Sequence, residues 1–125
     1  MKSKVSKKDR FHIEGELRSI AQRISEIQNE CQIYIFGSFL RDDFFTTSDI
    51  DLAVIIPDDM KTIDFLDQFY RIKPPTSWPM DLLVFQSSMY EKKKEVGGVC
   101  FVIHQEGKYL YPKWSLYDEP LQTKI

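Results

Sequence analysis

The sequence predicts an α/β fold of the α+β kind: one small mixed β-sheet of about four strands with helices packed on it. Three observations lead there. The amino-terminal quarter carries apolar residues at helical spacing, several short β-branched and aromatic runs end at Gly or Pro, and helical stretches separate those runs. At 125 residues the chain is long enough for one core and short for two.

The first element is a helix. From Lys8 to Glu30, Ile13, Leu17, Ile20, Ile24 and Ile27 fall at spacings of four, three, four and three, which puts them on one face. "CQIYIF" (31–36) then reads as a buried strand stopped by Gly37. "SFLRDDF" has room for a helical turn or two with Ser38 as N-cap, and "TTS" (46–48) is loop. "IDLAVII" (50–56) is the second strand, closed by Pro57. "TIDFLDQFYRI" (62–72) is a helix expected to turn Ile63, Leu66, Phe69 and Tyr70 inward, ended by Pro74-Pro75. "MDLLVF" (80–85) is the third strand, and "SSMYEKKKE" a capped, charged helix. Helix resumes in "GGVCFVIHQEG" (97–107), and "KYLY" (108–111) is the last strand. Residues 1–111 thus form the domain. Residues 112–125 form a tail with two prolines and no period, expected on the surface or on a partner, with Trp114, Leu116 and Tyr117 as candidate anchors.

Composition narrows the function classes. The net charge is −2 and charged residues make up 29 %, so no global field points to nucleic acid. The basic clusters "KSKVSKKDR" and Lys92-Lys93-Lys94 read as a solvated tail and a solvated helix face. Without a basic stripe interleaved with aromatics, a nucleic-acid substrate ranks below the alternatives. No apolar run reaches membrane length and no hydrophobic region follows the charged amino terminus. Cys31 and Cys100 are isolated in apolar surroundings and read as buried thiols in a reducing, cytoplasmic setting. With only His12 and His104 besides, no Zn site can be assembled.

The chemistry gathers in residues 37 to 51. Asp49 and Asp51 stand two apart at the mouth of a buried strand, where side chains alternate, so both point one way. Adjacent carboxylates repel, and a divalent cation removes the conflict; hard oxygen donors suit Mg²⁺ or Mn²⁺. Asp81 opens "DLLVF" as Asp51 opens "DLAVII", and reaches the same cleft if the two strands pair in register. Three aspartates holding two cations are a two-metal arrangement for phosphoryl or nucleotidyl transfer. Gly37 lets backbone N–H groups approach a phosphate, Ser38 adds a hydroxyl, and Arg41 could face the phosphates or brace the loop through Asp42 or Asp43. His104 reads as packed or capping, and Phe36, Phe39, Phe44 and Phe45 as core more than as base-stacking groups.

Gly37-Ser38, ten intervening residues and Asp49-Ile50-Asp51-Leu52 resemble the signature of the DNA polymerase β-like nucleotidyltransferase superfamily. The string "GSFLRDD…SDIDLAVII" is most similar to its minimal nucleotidyltransferase (MNT) branch, and the resemblance runs over about residues 10 to 111. It implies a palm-like nucleotidyltransferase fold and Mg²⁺-dependent transfer of a nucleoside monophosphate, usually from ATP, to a hydroxyl. Asp49 and Asp51 would ligate both Mg²⁺ ions, Asp81 the catalytic one, and Gly37 and Ser38 would hold the β- and γ-phosphates. It further implies an antitoxin that adenylylates a tyrosine on a HEPN-domain toxin partner. Asp42 stands where the family commonly has Gly, which bears on the conformation of the loop. Two alternatives stay open: a small-molecule (antibiotic-type) transferase working as a homo-oligomer, and a binding protein that neutralises its partner by occlusion. The 14 residues after Tyr111 are too few for a substrate-binding domain, which favours an acceptor supplied by a partner.

Overall fold

Ser6 opens the first helix, its hydroxyl accepting the backbone N–H of Asp9 at 3.1 Å. From there the computed structural model, which describes residues 4–41 and 44–111, runs α1 (Lys7–Ile27), β1 (Gln32–Phe36) and a single 3-10 turn (Gly37–Leu40). β2 (Ile50–Ile56), α2 (Thr62–Ile72), β3 (Met80–Gln86), α3 (Ser87–Lys93), α4 (Gly98–Glu106) and β4 (Lys108–Tyr111) follow. The expected α1 ends earlier than Glu30, because Gln28 turns to an extended conformation (φ −151°) and its N–H closes on Ile24 O at 3.1 Å.

The four strands form one mixed sheet in the order β3-β2-β1-β4. β1 is antiparallel to β2 and β4, whereas β2 and β3 are parallel, as a crossover through a helix requires. Side-chain alternation divides the sheet into two faces. On one, Ile33 and Ile35 of β1 and Ile50, Leu52, Val54 and Ile56 of β2 pack against α1 and α2. On the other, Phe36, Ala53 and Ile55 meet Tyr90 of α3 and Cys100 and Ile103 of α4. A central strand covered on both faces explains why β2 reads as a nearly unbroken apolar run. Asp51 is its one interruption.

Two local expectations are corrected. On α2 the buried stripe is Phe65 and Phe69, one turn apart, while Ile63 is 71 % and Tyr70 62 % exposed. Ile63 lies roughly half a turn around from Phe65, so both cannot face the sheet. Ser38 does not cap a helix: it is the second residue of the 3-10 turn, and Phe36 stands at the cap position without a side-chain bond. Cys31 and Cys100 are buried free thiols, as expected. Among the described residues no helix is long and apolar enough to cross a membrane. Asp42, Asp43 and the anchors Trp114, Leu116 and Tyr117 lie outside the described residues.

Candidate active site

Gly37 is where β1 must turn. Its φ is +82°, a region that disfavours side chains, and a Cβ there would run into Asp51 Oδ2. The reason is the register: Phe36 pairs with Asp51 across the antiparallel β1–β2 ladder, so the turn after Phe36 folds directly beside that carboxylate. The Gly-Ser turn and the aspartates therefore meet at the ends of the two central strands.

The parallel β2–β3 ladder supplies the third group. Asp51 is the register partner of Asp81, so the two carboxylates sit side by side on one rung and the same face. Asp49, exposed, immediately precedes β2. The loop that delivers it is fastened at several points. Ser48 Oγ accepts the Phe45 N–H at 3.0 Å, the Trp78 indole N–H donates to Ser48 O at 2.8 Å, and the Ile50 N–H donates to Pro79 O at 2.9 Å. Trp78 also lies against Phe44, which meets Phe39 edge-on at 5.0 Å between centroids. Arg10 of α1 stacks over Phe39 at 4.2 Å and donates to its carbonyl, tying the 3-10 turn to the first helix. Phe39 and Phe44 are core residues, and Phe45 is half-buried.

Electrostatically the site is an acid cluster. The Asp51 carboxyl is pushed above its usual range, first by burial and then by the charges of Asp81 and Asp49, while Arg41 pulls it back. Among the described residues no three His, Cys, Asp or Glu side chains already converge as a metal cage. The donor set nonetheless fits a hard divalent cation. It consists of carboxylate oxygens only, one of them half-buried and disfavoured as a bare anion, beside a glycine that leaves the space over it open. Ser38, half-buried, accepts the Arg41 N–H on its carbonyl at 3.0 Å. The Arg41 guanidinium bonds Glu106 Oε1 of α4 at 3.0 Å. His104 is half-buried in the last turn of α4. A groove of about 410 Å³ lies elsewhere, on α1 around Gly15, lined by Lys8, Phe11, His12, Arg18 and Ser19 among others, and holds none of the aspartates.

Sequence reasoning missed Trp78 and Glu106. Trp78 did carry a signal, since an aromatic two residues before the strand that opens at Met80 has to pack on something. Glu106, 65 residues from Arg41, carried none.

A family model described as a nucleotidyltransferase domain matches residues 17–110, most of the chain. Among solved structures, the Cid1 poly(U) polymerase with MgGTP bound is 24 % identical with a TM-score of 0.50, over 54 % of this chain and 21 % of the polymerase. This chain therefore spans only about a fifth of the length of that enzyme. A candidate nucleotidyltransferase from Sulfolobus solfataricus is 21 % identical with a TM-score of 0.53, over 66 % of this chain and 75 % of that one. No curated protein matches the sequence. At these identities the two structures speak for the fold. The family match takes in β1 to β3, nearly all of β4, the Gly37 turn and every aspartate of the cluster, and on that footing the chain belongs to the nucleotidyltransferase domain family.

Proposed function

We propose that this chain moves AMP from ATP to a tyrosine hydroxyl on a partner protein, a HEPN-domain toxin, and so acts as a cytoplasmic antitoxin. The observation that carries the reading is the direct register of Asp51 with Asp81, with Gly37 folded against Asp51. Asp49, Asp51 and Asp81 would hold two Mg²⁺ ions, which supply charge neutralisation for the triphosphate and acidify the attacking hydroxyl. Gly37 and Ser38 bind the β- and γ-phosphates through the backbone and hydroxyl of the 3-10 turn. Arg41 neutralises charge on the same groups. In the transfer, the acceptor oxygen forms its bond to the α-phosphorus as the bridge to the β-phosphate breaks. Pyrophosphate leaves, and an Asp81 carboxylate oxygen takes the hydroxyl proton. The free, buried Cys31 and Cys100 accord with a reducing compartment.

Intact-mass measurement of the partner after incubation with this protein, ATP and Mg²⁺ tests the reading. A gain of AMP units that disappears with Asp49→Asn supports it. A stable complex without mass change would replace it with neutralisation by occlusion. Neither result, with AMP transfer to small hydroxyl compounds instead, would make the chain a small-molecule transferase.

A further inference from the structure

We propose that Glu106 is a positioning residue for the transfer: it orients the Arg41 guanidinium at the mouth of the aspartate cluster so that the triphosphate meets it preset. The inference rests on the reading above and adds a residue from the far end of the chain to that site.

Both ends of the contact are fixed by backbone. Arg41 directly follows the 3-10 turn, its N–H bonded to Ser38 O at 3.0 Å, so its Cα stands at a set place beside the phosphate-facing turn. Glu106 is the last residue of α4. That helix is seated on the sheet through buried Cys100 and Ile103. It is closed by the Gly107 N–H on Ile103 O at 2.8 Å, and a Cβ at Gly107 would run into that carbonyl. Glu106 is thus held at a sharp helix end. Between these two fixed points, Arg41 Nη1 meets Glu106 Oε1 at 3.0 Å. A guanidinium presents its N–H donors in one rigid plane, so a contact at Nη1 narrows the directions open to the rest of the fork. Arg41 closes the turn that opens at Gly37, and Gly37 lies against Asp51 Oδ2, so the arginine's backbone stands beside the cluster.

Exposure distinguishes positioning from blockade. The two side chains are 44 % and 45 % exposed, and ion pairs that open to water are weak. Such a pair cannot withhold Arg41 from a multiply charged triphosphate. It can spare a long, flexible side chain its search through rotamers, which is worth a severalfold gain in affinity for the group that arginine binds.

The test is a cycle of variants read by binding of a non-hydrolysable ATP analogue with Mg²⁺ and by steady-state transfer. Glu106→Gln should weaken analogue binding and raise KM for ATP by about threefold to tenfold, the size expected from ordering one side chain, with kcat little changed. Glu106→Asp should recover part of the loss. In an Arg41→Ala background, Glu106→Gln should have no further effect. Unchanged or tighter binding in Glu106→Gln would overturn the proposal. So would an equal loss in the Arg41→Ala background, which would mark Glu106 as a support of α4 alone. Asp51→Asn separates the two levels of inference. If it abolishes Mg²⁺-dependent binding while Glu106→Gln does nothing, only the positioning role falls; if wild type itself shows no Mg²⁺-dependent binding, both fall.

Discussion

The two faces of the sheet are built from the same strands and do different work. The face under α1 and α2 is apolar from end to end on the central strands, with Ile33, Ile35, Ile50, Leu52, Val54 and Ile56 all buried. The opposite face carries the Asp51–Asp81 pair at one end, with Phe36 as the apolar partner of Asp51 on β1, and further along Ala53 and Ile55 meet the short helices α3 and α4. Cover on this second face is thinner: Leu83, the rung partner of Ala53, remains 37 % exposed. A long helix over one face supplies the stability that lets the other keep a set of carboxylates whose mutual repulsion favours no fold.

The largest expected effect tests that division directly. Leu52→Ala should cost about 2–5 kcal/mol in urea unfolding, since it empties a closed site on the α1 face. Leu83→Ala, on the open face, should cost only about 1–2 kcal/mol, because over a third of the residue is already in water. Equal losses would break the comparison.

Alkaline titration probes the same closed face through Cys31, whose thiol is pushed up to about 11 by burial, against an ordinary 9.0. The folded value is raised, so the stability contributed by the neutral thiol is present below pH 9.0 and is lost as pH rises toward about 11. The loss should approach about 3 kcal/mol. Cys31→Ala should remove this component of the pH dependence of unfolding, whatever it costs in packing.

Gly37→Ala carries the comparison to the junction of the two regions. A positive φ together with a Cβ directed at Asp51 Oδ2 should cost roughly 1–3 kcal/mol and displace that carboxylate. Calorimetry checks the first consequence, and loss of Mg²⁺-dependent nucleotide binding checks the second.

The smallest effect has the opposite sign. Asp51 is raised in the folded state, so its charged form opposes folding at neutral pH and its protonated form does not. Asp51→Asn should therefore stabilise the metal-free protein, by about 0.2–1 kcal/mol, as expected for relief of a like-charged pair on one rung. With Mg²⁺ and an ATP analogue the order should reverse, wild type gaining in melting temperature and the variant not. A variant that responded to the ligands as wild type does would remove the metal-site argument.

Much of this was legible in the chain before any fold was known. The helical spacing of Ile13, Leu17, Ile20 and Ile24, the strand limits at Ile50–Ile56 and Lys108–Tyr111, and the placement of Gly37 and two aspartates around a turn all follow from local periodicity and turn chemistry. These depend on how a few neighbouring residues repeat along the backbone, which a sequence records directly. The inward face of α2 was misjudged because an amphipathic helix with aromatics on several sides does not say which side the sheet will take. What only the tertiary structure decided is which distant groups meet: Asp51 with Asp81, Trp78 with Ser48, and Arg41 with Glu106. Those meetings depend on how α2 returns β3 alongside β2, and on where α4 comes to rest on the sheet. The packing of whole elements sets both, and no short stretch of sequence carries that information.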